Sequence, residues 1–148
     1  MAERTLIIIK PDGLQRRLAG EIVGRFERKG FRIAAVKLMW ISSKLAQKHY
    51  EVHRGRDFFD RAVKYISSAP VVVMVIEGEK AIESCRMMMG ATFGYDALPG
   101  TIRGDFSSSQ QHNLVHGSDS AESAQREISL YFTPDEILDY EMTDSTWL

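Results

Sequence analysis

Two continuous apolar runs constrain the fold most: Thr5-Leu6-Ile7-Ile8-Ile9, and Val71 through Ile76. A run of that length, apolar apart from an opening β-branched Thr5, reads as a buried strand. Turn-forming residues bound both, with Lys10-Pro11-Asp12-Gly13 after the first and Pro70 and Glu77-Gly78 around the second. Neither approaches the ~20 apolar residues of a membrane span. The first is too short for a secretory signal and is followed at once by Lys10 and Pro11.

The other elements are read around these strands. Leu18, Ile22 and Phe26 recur at helical spacing, opposite Glu21, Arg25, Arg28 and Lys29, and Gly30 stops that helix. Phe31 to Ile41 supplies a further strand. Ser42-Ser43 opens a helix lined by Leu45, Ala46 and His49 and closed by Tyr50 and His53. After the polar break Arg54-Gly55-Arg56-Asp57, a second helix follows with Phe58, Ala62, Tyr65 and Ile66. The two make a hairpin that stands away from the sheet. Ala81, Ile82, Cys85, Met88 and Met89 line the next helix, which carries Arg86 at its edge and ends at Gly90. The stretch from Gly90 to Asp105 shows no periodicity, and long loops of this kind are often functional.

Asn113-Leu114-Val115-His116-Gly117-Ser118-Asp119-Ser120 then reads as strand, sharp turn and helix, with His116 at the strand's end. Gly117 implies a positive φ at the turn. Asp119 or Ser120 caps a helix marked by Ala121, Ala124, Ile128 and Tyr131. Thr133-Pro134-Asp135-Glu136 signals one more start, for a short helix through Ile137, Leu138 and Tyr140. The tail ends in Trp147-Leu148, apolar enough to dock on something. The order is βαββαβ with insertions. It predicts one domain over residues 1–148, a ferredoxin-like α+β sandwich. Its antiparallel four-stranded sheet has helices on one face, plus a helical hairpin and a long loop.

A formal net charge of -1 gives no global field for nucleic acid or an anionic membrane, so an anionic ligand needs a local cluster of cations. The one cysteine, Cys85, excludes an intrachain disulfide and fits the reducing cytoplasm. His49, His53 and His112 show no metal-ligand spacing with His116, and no G-x-S-x-G elbow is present. His116 is the candidate nucleophile. Glu127 lies two helical turns after Ser120, on the same side, and a carboxylate there can hold an imidazole in one tautomer. Lys10, Arg86 and Arg103, with Thr92 in the loop, form a triphosphate-sized set of cations and donors at element ends. No glycine-rich phosphate loop is present, so side chains must handle any phosphate. Phe58 is either core packing or a stacking surface for a flat ligand.

The segment Asn113 to Asp119 resembles the active-site signature of the nucleoside diphosphate kinases. The likeness extends over nearly the whole chain, through Thr5 to Gly13, Phe58-Phe59, Val63-Lys64-Tyr65, Ala69-Pro70 and Pro99 to Phe106. It implies ping-pong transfer of the terminal phosphate of a nucleoside triphosphate, mainly ATP, to a nucleoside diphosphate through a phosphohistidine at His116. It implies that Glu127 and Ser118 orient the histidine. Lys10, Tyr50, Arg86, Thr92 and Arg103 correspond to phosphate-site residues, Asn113 to a ribose contact and Phe58 to the ring that stacks on the base. Mg2+ is expected to arrive on the nucleotide phosphates, because no carboxylate cage is evident. A homo-oligomer is implied, a hexamer rather than a tetramer, with neither a membrane nor a specific nucleic acid as partner. Three positions depart from the family pattern. Ala62 and Gln110 flank the base with a smaller and a more polar residue, and Phe93-Gly94 follows Thr92 in the loop. A module that binds nucleotides or single-stranded nucleic acid without chemistry is the rival reading, and it leaves His116 and Glu127 idle. A relay of phosphate to protein histidines uses the same residue.

Overall fold

The computed structural model describes residues 2–148. Its sheet comprises β1 (Glu3–Ile9), β2 (Arg32–Met39), β3 (Val71–Gly78) and β4 (Val115–Gly117) in the order β2-β3-β1-β4, all neighbours antiparallel. The helices are α1 (Pro11–Gln15), α2 (Ala19–Lys29), α3 (Ser43–His49), α4 (Phe59–Ile66), α5 (Ala81–Met89), α6 (Ile102–Phe106) and α7 (Ala121–Tyr131). The ferredoxin-like order is carried by β1, α2, β2, β3, α5 and β4, with α1, the α3–α4 hairpin and α6 as insertions.

The two apolar runs occupy the middle of the sheet, paired with Ile7 opposite Met74. Successive side chains of a strand point to opposite faces. Ile7, Ile9, Met74 and Ile76 therefore pack with Ile22 and Phe26 of α2 and Cys85 and Met89 of α5. Leu6, Ile8, Val73 and Val75 pack with Ala46 of α3, Phe59, Val63 and Ile66 of α4, and Tyr131 of α7. Helices thus cover both faces, which corrects two expectations, a single covered face and a hairpin that stands away from the sheet. The cause lies in the runs themselves, since a strand without polar alternation has two faces to bury. Ile7, Ile8 and Ile9 have no exposed surface, and each contributes roughly 1.5–3 kcal/mol relative to an exposed side chain.

Local signals set the ends of the elements. Gly30 caps α2 at φ +107°, and Ser42 accepts the Leu45 N–H at the start of α3. The Gly90–Asp105 stretch, read as irregular, carries a 3-10 turn at Gly94–Asp96 and the start of α6, capped by Thr101. Beyond α7, the capping box at Thr133 forms as expected, but only a 3-10 turn, Pro134–Glu136, follows it. No helix among the described residues is long and apolar enough to cross a membrane.

Candidate active site

β4 puts His116 opposite Ile8 of the central strand, so a rigid sheet carries the imidazole. Its Nε2 lies 2.8 Å from Oε1 of Glu127 on α7. The same oxygen accepts the Ser118 hydroxyl at 2.8 Å, and Ser118 Oγ accepts the Leu6 N–H at 3.2 Å. Ser120 fixes the start of α7 by accepting the Ser123 N–H, which sets the reach of Glu127 back to β4. Burial alone would raise the Glu127 pKa. The hydrogen bond and charge of His116, the charge of His49 and the Ser118 hydroxyl outweigh it and hold the carboxyl below its usual value. A carboxylate only accepts hydrogen bonds, so in the neutral ring the proton sits on Nε2 and the Nδ1 lone pair is free.

The expected cations and donors gather around the strand that holds His116. Lys10, at the end of β1, is buried and donates from Nζ to Asn113 Oδ1 at 2.7 Å. Asn113 Nδ2 donates to the Thr92 carbonyl at 3.1 Å. Burial and the nearby Arg103 pull the Lys10 pKa down to about 7, against the pull of Asp12. Arg103, on α6, is buried and donates to the carbonyls of Asn113, Gly90 and Val115 at 3.1, 3.0 and 2.6 Å. Burial and the charge of Arg86 lower its pKa to about 10. Arg86, exposed on α5, donates to the Gly117 carbonyl at 3.0 Å. Lys10 and both arginines thus hold the signature segment itself while their remaining N–H groups stay available.

Tyr50 follows α3, and its ring lies 4.7 Å from that of His49; burial raises its phenol pKa, so it stays protonated. Phe58 stands on the hairpin, 38% exposed, beside the His53 ring and not in the buried core. Ala62 follows it one helical turn on, its N–H bonded to the Phe58 carbonyl at 2.9 Å. Gln110 is exposed in the loop before Asn113.

One expected cause of the turn is corrected. Gly117 does not take a positive φ; Leu114 does, at +69°. Gly117 makes room instead, because a Cβ there would lie 2.7 Å from Met89 Sδ on α5 and force that side chain to shift.

The sequence reading passed over four residues beside these groups. His49 is buried against His116, ring centroids 4.6 Å apart at 74°, and Tyr131 Oη lies 3.0 Å from its Nδ1. Burial, with the charge of His116, lowers the His49 pKa to about 3, so it stays neutral. Its place on the apolar side of α3 was the available signal. Asp12 and Tyr65 bond to each other across the chain. Among the described residues, His49, His116 and Glu127 form one group with donor atoms within 4.8 Å of one another. Two imidazoles and one carboxylate do not suit magnesium, which takes oxygen ligands. The residues therefore do not fit a resident magnesium site. An apolar cleft of about 680 Å³ between β1, α7 and Thr133–Ile137 contains none of these groups.

An α+β domain with a carboxylate-held histidine among buried cations is the architecture of a histidine-centred enzyme that handles anions. The sequence model described as "Nucleoside diphosphate kinase" matches residues 3–137. The nucleoside diphosphate kinase of Archaeoglobus fulgidus is 52% identical over 146 residues, 99% of this chain and 97% of that one. That of Thermus thermophilus is 58% identical over 136 residues, 92% and 99% of the two chains. Among solved structures, a halophilic nucleoside diphosphate kinase from Halobacterium salinarum in complex with CDP superposes with a TM-score of 0.96. It is 46% identical and covers 99% of this chain and 98% of its own. A transition state mimic of the Borrelia burgdorferi enzyme, with bound vanadate and ADP, gives 0.93 at 37% identity, covering 99% and 96%. The chain belongs to the nucleoside diphosphate kinase family, and it is a phosphotransferase.

Proposed function

We propose that the chain transfers the terminal phosphate of a nucleoside triphosphate, ATP foremost, to a nucleoside diphosphate through a phosphohistidine at His116. The observation that carries this reading is the 2.8 Å contact of Nε2 with Glu127, which leaves Nδ1 as the nucleophilic nitrogen. The Nδ1 lone pair attacks the terminal phosphorus. The bond to the bridging oxygen breaks, its electron pair stays with that oxygen, and the diphosphate departs. Glu127, held ionised, stabilises the positive charge that grows on the ring. A second diphosphate enters, its terminal oxygen attacks the phosphorus, and the pair returns to Nδ1.

Phosphoryl transfer asks mainly for positioning and for neutralisation of oxygen charge. Lys10, Arg86 and Arg103 supply the charge, with the hydroxyls of Thr92 and Tyr50. Asn113 and Lys10, bonded to each other, take the sugar end. Phe58, exposed on the hairpin, takes the base by stacking, which reads no base edge. Ala62 on the same helix face and Gln110 leave that slot wider and more polar than the family pattern. Magnesium enters as part of the nucleotide substrate. The ligands bound in the related structures, CDP and ADP with vanadate, fit this division of the site. The working form is a homo-oligomer, a hexamer before a tetramer. The compartment is the cytoplasm, consistent with Cys85, a free and buried thiol.

Incubation with γ-labelled ATP is expected to label His116 alone, in an acid-labile, alkali-stable form. His116→Ala is expected to lose both label and turnover. Label on another residue, or normal turnover by His116→Ala, would overturn the reading.

A further inference from the structure

Leu114 is fully buried and left-handed, at φ +69°, a region that leucine rarely enters. The Val115 N–H donates across it to the Asn113 carbonyl at 2.7 Å, which makes Leu114 the centre of a γ-turn. His116 follows two residues later. Strained conformations of this kind persist only where the surroundings over-determine them.

The surroundings here are specific. The Leu114 carbonyl accepts the Lys10 N–H at 2.8 Å, and the Leu114 N–H donates to Asp12 Oδ2 at 3.1 Å. The other Asp12 oxygen accepts the Tyr65 hydroxyl. Burial and the charge of Asp12 raise the Tyr65 pKa, so the phenol keeps its proton and donates. The Lys10 ammonium lies 5.2 Å from the Tyr65 ring centroid. Asp12 therefore joins three elements: α1, the turn before the nucleophile, and α4 with Phe58 one helix length away from Tyr65.

We propose that Asp12 and Tyr65 are positioning residues for phosphoryl transfer, holding Leu114 in its left-handed turn and so aiming Nδ1 of His116 at the phosphorus. This rests on His116 being the nucleophile. Without the Asp12 carboxylate, the Leu114 N–H loses its acceptor and the turn relaxes toward an extended conformation. That displaces β4 along its short pairing with β1. Neither residue needs to touch the nucleotide, so the main effect falls on the rate of attack; loss of the Asp12 charge beside Lys10 adds only a small loss of affinity, which Asp12→Asn shares.

The test is single-turnover formation of phosphohistidine from ATP, with ADP affinity measured separately. Asp12→Ala is expected to lower the saturating rate by roughly 10–100-fold per folded site, while the ADP dissociation constant stays within about threefold. Asp12→Asn is expected to recover most of the rate. Its amide oxygen still accepts from Leu114, and its NH2 donates to a Tyr65 hydroxyl turned to accept. Tyr65→Phe leaves the Leu114 bond but frees the carboxylate to rotate, and is expected to lose roughly 3–10-fold. If Asp12→Ala does not fold, Tyr65→Phe still decides. A saturating rate per folded site that is unchanged in Tyr65→Phe and in any folded Asp12→Ala overturns the proposal. So does a loss that appears only in ADP affinity. A wild-type chain that forms no phosphohistidine overturns the reading of His116 instead.

Discussion

Lys10 is the residue whose charge is held least securely. Burial and Arg103 bring its pKa from 10.5 to about 7 in the folded chain. An unfolded chain keeps that proton up to the ordinary value, so between pH 7 and 10.5 the unfolded state binds more protons. The charged lysine thus costs most stability below pH 7, and the cost is relieved as pH rises toward 10.5. A bound phosphate chain reverses the balance, because an opposite charge favours the ammonium form. ADP binding at pH 8 is expected to take up close to one proton, since the ADP phosphates are already fully ionised there. Titration calorimetry in two buffers of different ionisation heat measures this, and Lys10→Gln is expected to abolish it. Absence of uptake by the wild-type chain would show that Lys10 is already charged in the empty cleft. The sequence placed Lys10 correctly at a strand's mouth. It held no sign of the burial, which comes from Arg103 and Asn113, both about a hundred residues away.

Among the elements, α6 is the smallest that the site depends on. Its Arg103 holds the carbonyls of Gly90, Asn113 and Val115 and so joins the end of α5 to β4. The helix is seated by Thr101, whose hydroxyl accepts the Gly104 N–H at 3.0 Å and donates to the Leu98 carbonyl at 2.6 Å. Asp105 adds the Gly100 N–H at 2.8 Å and Arg25 at 2.7 Å. A Cβ on Gly104 would run into the Leu98 backbone carbonyl, which no rotamer relieves. Gly104→Ala is therefore expected to cost about 1–3 kcal/mol of stability, as overpacking does. It is also expected to lower turnover at temperatures where the fold persists, because Arg103 moves with the helix. Urea unfolding alongside turnover per folded site checks both, and two unchanged values would show that the loop absorbs the methyl. Here the sequence was legible only in part. Glycines and a proline marked an irregular, functional stretch, but α6 is too short to leave a period. The unbroken apolar runs of β1 and β3 carried the sign of two-sided burial, but the sequence reading drew from them a sheet covered on one face only. The coarse strand and helix order followed from periodicity, whereas the contacts of Asp12 with Tyr65 and Leu114 join segments far apart in sequence and leave no local pattern.

At the scale of the whole molecule, the sheet is unevenly protected. β4 closes one side of β1 only from Ile7 to Ile9. On the other side of the sheet, β2 pairs with β3 alone; Leu138 N–H and the Tyr140 hydroxyl cover its edge at Ala34 and Ile33, and no further strand covers the rest. Proteins usually blunt such an edge with charge, proline or cover. This one carries Val36, Leu38 and Trp40, exposed by 56%, 67% and 63%. An apolar edge of that kind marks an association surface. A second copy pairing edge to edge would bury these side chains and satisfy the strand, and it fits the proposed homo-oligomer. The sequence reading put the docking signal in the Trp147 tail and gave Val36 and Leu38 only as part of a strand, whose register a bulge between Ile33 and Ala35 shifts. Trp147 is also exposed, so edge and tail are separable candidates. Light scattering on the wild-type chain is expected to give several times the mass of one copy. Leu38→Lys, which sets like charges against each other across a two-fold edge, is expected to give a smaller species. Trp147→Glu is expected to leave the edge pairing intact. A wild-type chain with the mass of one copy, or Leu38→Lys with undiminished mass, would remove β2 as the contact.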